Sequence, residues 1–205
     1  MITYIIIGIT VITSLMAFND RKLMAELIFN PYVIDNRKQY FRFISAGLIH
    51  ADMMHLFFNM FTLYFFGTKV EYNFKILFPQ MATTLYLLLY LSGLVMSSTY
   101  SYYKYKNTPS YNALGASGAI SAVLFCSVML FPMEGIHIIP FTLFYKPGIP
   151  AYIFGPLYLL YCVYMAKRGM DNIGHEAHFF GAVWGILYIV VLYHQVIPRF
   201  IEQVF

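Results

Sequence analysis

The segment HEAHFFGAVWGILYIVVLYHQV, residues 175–196, decides the fold. It opens on His175, Glu176 and His178 and then runs to Val196 without an Asp, Glu, Lys or Arg. A helix needs roughly 20 mostly apolar residues to cross the hydrocarbon core of a bilayer, and this run supplies them. Ionisable side chains at the head of such a run are costly in lipid, so each asks for a reason. The same reading extends to five further segments, Ile2–Phe18, His50–Thr68, Gln80–Tyr103, Ala116–Met133 and Pro150–Ala166. Polar or punctuated stretches separate them, among them Asn19–Lys22, Asp35–Lys38, Tyr103–Ser110 and Lys167–Asp171. With no internal repeat and no long linker, residues 1–205 are expected to form one domain. Its fold class is an all-α membrane protein, a compact bundle of six transmembrane helices with a long interfacial first loop.

Composition agrees. Of 205 residues, 60% are hydrophobic and 11% charged, where a soluble domain carries about 25% charged residues. The mean hydropathy is +0.65. A net charge of +4 from scattered basic residues lacks the dense stripe that nucleic-acid binding needs, so no nucleic-acid partner is expected. Cys126 and Cys162 lie in apolar runs and read as core residues, not as a disulfide. The Ile2–Phe18 run lacks the basic start and small-residue cleavage site of a signal peptide and reads as a retained first helix. The connection from Asn19 to Ile49 mixes charges with Phe29, Tyr32, Tyr40, Phe41 and Phe43. Such a mixture is expected at the membrane interface, with its rings among the headgroups.

Three segments carry polar residues that a plain span would not. The second holds His50, Asp52, His55 and Asn59; the fourth opens Gly115-Ala116-Ser117-Gly118-Ala119; the sixth opens His175-Glu176-Ala177-His178. Segments two, four and six run in the same direction if all six span, so their N-terminal clusters meet on one side. At about 1.5 Å of rise per residue, His55 and His178 lie within about 10 Å of their helix starts. One shared polar site is the economical reading. Within it, His55 and Asn59 are i, i+4 on one face. His178, Gly181 and Gly185 are i, i+3 and i+7, which sets a small-residue groove below the histidine. Gly118 and Ala122 on the fourth segment repeat the interval, and small residues let backbones approach closely in lipid.

A serine hydroxyl becomes a useful nucleophile when a base lies within hydrogen-bond reach, and His178 is the candidate base for Ser117. The Ser117 backbone N–H, at a helix start, can face a developing oxyanion. The Asn59 amide and the His55 ring are further candidate donors. No carboxylate is placed to orient His178, which predicts a dyad and not a triad. Asp52, His175 and Glu176 are expected as solvated residues at the mouth.

These residues resemble the rhomboid intramembrane proteases. The likeness rests on His50-x4-His55-x3-Asn59, on Gly115-Ala116-Ser117-Gly118, and on Ala177-His178-x2-Gly181-x3-Gly185, in the family's order. Phe41-Arg42 looks like the aromatic–arginine pair of the family's first loop, with phenylalanine for the commoner tryptophan. The resemblance implies a serine endopeptidase with a Ser117–His178 dyad, His55 and Asn59 in the oxyanion hole, and His50 beside them. Gly115, Gly118, Gly181 and Gly185 would support the site. It implies transmembrane protein substrates, lipid as the surrounding partner, no cofactor and no metal. It also implies a cavity open to the non-cytoplasmic side, and the bare six-helix core suggests a bacterial inner membrane. The fifth segment, rich in aromatics (Tyr152, Phe154, Tyr158, Tyr161 and Tyr164), would correspond to the family's lateral gate, with Tyr152 and Phe154 singled out to work against Phe58. Some relatives carry a tyrosine one turn after the nucleophile, packed on the catalytic histidine; here that position is Ser121, so another residue must support His178.

Two rivals stand beside this reading. One is a membrane metalloenzyme using His50, His55, His175 and His178, although no H-E-x-x-H pattern is present. The other is an inactive relative that binds transmembrane helices without cutting them. Charge raises a conflict over orientation. The implied topology puts Lys69, Lys75, Lys146 and Arg199 inside, and Arg21, Lys22, Arg37, Lys38, Arg42, Lys104, Lys106, Lys167 and Arg168 outside. That reverses the usual excess of basic residues on the cytoplasmic side.

Overall fold

The apolar segments fold as helices in a computed structural model that describes residues 1–137, 148–169 and 173–205. Lys146 and the Met170–Asn172 stretch lie outside the described residues. Helix α1 covers Ile2–Asn19 and stops at Asp20. That carboxylate instead begins α2 (Arg21–Leu27), accepting from the Lys22 and Leu23 N–H groups at 2.8 and 3.0 Å. Asn30 and Pro31 start α3 (Pro31–Arg37) as side-chain cap and first helical residue. Helix α4 (Arg42–Ser45) completes the first connection.

This connection is a folded unit and not only an interfacial strip. Arg42 is buried, donating through Nη1 to the Ala25 and Ile28 carbonyls at 2.9 and 2.8 Å and through Nε to Gln39 Oε1 at 2.8 Å. Burial and the nearby Arg37 lower the Arg42 pKa, yet a guanidinium starts so high that it stays charged. Phe29 pairs with Ala113 in an isolated antiparallel bridge. The Gly115 N–H donates to the Ala46 carbonyl at 2.9 Å. Both contacts tie the first connection to the strand-like approach to Ser117.

The second segment differs from its expected boundaries. Asp52 caps α5 (Met53–Thr62), accepting from the His55 N–H at 2.8 Å, so His50 precedes the helix instead of lying in it. A π turn, Leu63–Gly67, then leads into α6 (Thr68–Leu77). Helix α7 covers Ala82–Tyr105 and α8 covers Ser117–Leu130. A two-stranded hairpin, β1 (Gly135–Ile136) and β2 (Ile149–Pro150), leads to α9 (Ala151–Arg168), α10 (His175–Leu192) and α11 (Val196–Val204).

Among the described residues, α1, α7 and α10 are long and apolar enough to cross a membrane by length and composition. Together with the apolar composition, they make this an all-α membrane protein. Helix α8 is the axis of the bundle, and every residue from Gly118 to Val128 is buried. Its 14 residues span only about 21 Å, short of the roughly 30 Å of hydrocarbon. Helix α8 is therefore too short to cross that thickness by itself.

Small residues make the packing around α8 possible. A Cβ built on Gly181 would overlap the Gly118 carbonyl oxygen and come within 3.2 Å of Gly118 Cα. One built on Gly185 would overlap the Ala122 carbonyl and come within 2.8 Å of its Cα. On the other flank, Gly93 of α7 would bring a Cβ to 3.1 Å from Ala119 Cα. The helices thus touch backbone to backbone at the intervals that the spacing of these residues predicts.

Candidate active site

Three elements bring the polar clusters together. Ser117 is the first residue of α8, where backbone N–H groups have no intrahelical partner. Gly118 packs against Ser97 of α7 and lies near the Ala177 carbonyl of α10, which is 3.4 Å from an ideal Cβ. Ser117 and His178 are the chain neighbours of that Gly118–Ala177 contact, and both are partly exposed.

The approach to Ser117 is equally constrained. Gly115 adopts φ +106°, a conformation that side chains rarely tolerate. A Cβ there would also meet the His55 ring at 2.8 and 2.9 Å. The His55 ring therefore lies against the backbone that leads into Ser117. His50 packs edge-on to His55, with centroids 4.9 Å apart. Asn59, one turn deeper, is buried and donates one amide hydrogen to the His55 carbonyl at 2.9 Å.

His50 is fixed from α1. The Ser14 hydroxyl donates to the Leu48 carbonyl at 3.0 Å and lies 3.0 Å from His50 Nδ1. A hydroxyl has one hydrogen, so with that hydrogen on Leu48 it accepts from Nδ1–H. His50 is then the Nδ1–H tautomer. Its Nε2 is buried without a hydrogen bond among the described residues.

The support for His178 comes from a residue that the sequence did not single out for it. Tyr158 of α9 stacks on His178, centroids 6.4 Å apart and planes 19° from parallel. Its hydroxyl lies 3.3 Å from Ser121 Oγ, a hydrogen bond that either group can donate. Phe154 stacks beneath Tyr158 at 5.5 Å. The small Ser121 thus leaves room for a tyrosine arriving from the neighbouring helix.

Two expectations need correction. Tyr152 and Phe154 were expected beside Phe58 at the gate. Helix α9 runs antiparallel to α8, and the Ala151 and Tyr152 N–H groups donate to the Glu134 and Pro132 carbonyls just beyond the far end of α8. Tyr152 therefore sits at the opposite end from Ser117, and Phe154 packs against the cluster that includes Leu124, Phe125 and Val128 of α8. Tyr158 and Tyr161 stand nearest the histidines, Tyr161 being edge-on to His175 at 5.5 Å. The mouth residues also differ from expectation. His175 is buried, Glu176 pairs with Lys104 of α7, and only Asp52 is exposed, as a helix cap.

Among the described residues, the side chains that converge as potential metal ligands are Cys162, His175 and His178, not the four histidines together. Both cysteines are buried and unbridged.

Comparison with known proteins identifies the family. The Rhomboid domain profile matches residues 37–195. The chain is 29% identical over 178 residues to RHOMBOID-like protein 12, mitochondrial, of Arabidopsis thaliana, covering 80% of this chain and 50% of that protein. It is 24% identical over 177 residues to Rhomboid-like protein 15 of the same plant, covering 84% of this chain and 42% of that protein. The chain spans about half the length of these curated relatives.

Proposed function

The chain belongs to the rhomboid family, and from that premise we propose that it is a serine endopeptidase cutting membrane proteins in or near their transmembrane segments. The observation that carries this reading is the backbone contact of α8 with α10 at Gly118–Gly181 and Ala122–Gly185. It draws the N-terminal ends of two helices together, with a serine on one and a histidine on the other.

In the proposed reaction His178 accepts the Ser117 hydroxyl proton while Oγ bonds to the scissile carbonyl carbon. Charge moves to the carbonyl oxygen, which faces the Ser117 N–H, the second Asn59 amide hydrogen and the His55 ring. Collapse breaks the C–N bond, and His178 passes its proton to the departing amine. Water, giving its proton to His178, then attacks the acyl ester; the ester C–O bond breaks, the carboxylic acid product leaves, and His178 returns the proton to Ser117 Oγ. Written this way the reaction needs no cofactor. Tyr158 holds the His178 ring. Phe58 and Tyr161, 54% and 50% exposed, are the aromatic side chains proposed to meet an arriving substrate helix. The site is proposed to open on the non-cytoplasmic side.

The test is labelling of detergent-solubilised protein with a fluorescent fluorophosphonate, alongside Ser117→Ala and His178→Ala. The wild type should label and cleave a transmembrane reporter, and both variants should lose labelling and cleavage while remaining folded. Folded wild type that neither labels nor cleaves would instead make the chain an inactive, helix-binding member of its family.

A further inference from the structure

We propose that Cys162, His175 and His178 form a binding site for a borderline divalent cation of the zinc type, and that occupation of this site switches the protein off. The thiol of Cys162 and one ring nitrogen from each histidine lie within 4.8 Å of one another. The ligands of a tetrahedral zinc, at about 2.0 to 2.3 Å from the metal, are separated from each other by roughly 3.5 Å. Small rotations about side-chain bonds close that difference. The set is chemically selective. A thiolate with two imidazoles suits zinc and its neighbours, whereas magnesium and calcium prefer oxygen.

The fold builds this cluster from two helices. His175 and His178 are one turn apart on α10 and share a face, with rings 6.0 Å apart and nearly perpendicular. Cys162 comes from the antiparallel α9 and is fully buried, and His175 is 4% exposed. Tyr161 closes over His175 and Tyr158 over His178, so aromatic rings wall the cluster on the α9 side. Three protein ligands are one short of the four that close a structural zinc site, so the fourth position would be left to water.

The consequence for activity rests on the reading of His178 as general base. A metal on the imidazole occupies the lone pair that would take the Ser117 proton. Binding and proton transfer are then mutually exclusive, and the protein responds to the free concentration of the metal. Binding itself does not depend on that reading, so the two are separable by experiment.

Cobalt(II) is the direct probe, because thiolate coordination to it gives a charge-transfer band. One equivalent added to the folded wild type should produce the band. Ser117→Ala and Cys126→Ser should keep it, and Cys162→Ser should lose it; His175→Asn should weaken it and serves where Cys162→Ser fails to fold. Zinc at ten times its dissociation constant should leave about one-tenth of the cleavage rate by simple mass action, and EDTA should restore it. Each variant is compared with its own metal-free rate, and Cys162→Ser should be indifferent to zinc. No band in folded wild type, or a band that survives in Cys162→Ser, overturns the site. Zinc bound through Cys162 without loss of cleavage overturns the switch. Metal-free wild type that binds cobalt but never labels or cleaves strikes the proteolytic reading and leaves the site standing.

Discussion

The pairing of Tyr158 with Ser121 shows what one residue does to its neighbour's options. An aromatic ring stacked on the imidazole limits its rotation, and a hydrogen bond to Ser121 fixes the ring in turn. Stacked aromatic pairs are worth about 0.5 to 1.5 kcal/mol beyond their buried area. On the proposed mechanism Tyr158→Leu should therefore lower kcat by about tenfold, the equivalent of roughly 1.4 kcal/mol, with little change in KM, since the ring would position the proposed base and hold no substrate. Tyr158→Phe keeps the stack and should lose much less. The decisive variant is Tyr158→Leu with Ser121→Tyr, which restores a ring from α8 and should recover most of the lost rate; a purely structural role for Tyr158 would give no such rescue. Sequence reading identified the vacancy at Ser121 but not its occupant. Helix α9 carries Tyr152, Phe154, Tyr158, Tyr161 and Tyr164 on an apolar background, and such a helix does not reveal in sequence which face turns inward.

Helix against helix, the small residues say more. The intervals Gly118–Ala122 and Gly181–Gly185 were legible because a residue that must meet backbone has to be small, and two such pairs four apart define a seam. The structure joins them there. Direction along α9 was legible in principle too, since an antiparallel partner places its first turn at the far end. The expectation for Tyr152 and Phe154 ignored that, and the backbone bond from Tyr152 to Pro132 corrects it. The π turn at Leu63–Gly67 left no signal in composition. The seam makes a prediction at this scale. Gly185→Ala places a methyl against the Ala122 carbonyl, and neither backbone can retreat without parting the helices. It should destabilise the protein by about 1 to 3 kcal/mol, the usual size of an overpacking defect, and lower cleavage because Ser117 and His178 separate together. Gly8→Ala is the control, as nothing lies within 4 Å of a Cβ there. Thermal unfolding in detergent measures both, and equal midpoints for the two variants would mean that the seam does not hold the site.

At the scale of the whole molecule, α1 makes side-chain contacts at both ends of the bundle. Near the site, its Ser14 holds His50. At the other end, Glu71 of α6 accepts from the Ile2 and Thr3 N–H groups at 2.8 and 3.0 Å and from the Thr3 hydroxyl at 2.7 Å. Helix α1 has no side-chain cap of its own, so a carboxylate from another helix satisfies the N–H groups that its first turn leaves open. The same oxygen-rich corner engages Tyr86, whose hydroxyl lies 3.0 Å from Thr3 Oγ1. No periodicity in the sequence announces this, because Glu71 sits 68 positions from Thr3 and reads locally as an ordinary polar residue at the end of a span. Removing it leaves buried donors without partners, a loss of about 3 kcal/mol. Glu71→Ala should therefore lower the unfolding midpoint strongly, and Glu71→Gln by less, since an amide oxygen still accepts. Because α1 also carries Ser14, loosening its far end should reach the site. Glu71→Ala should lower cleavage at temperatures where the protein is still folded, and Ser14→Ala should lower cleavage with a smaller change in midpoint. Full cleavage by folded Glu71→Ala would mean that α1 steadies the bundle without steadying His50.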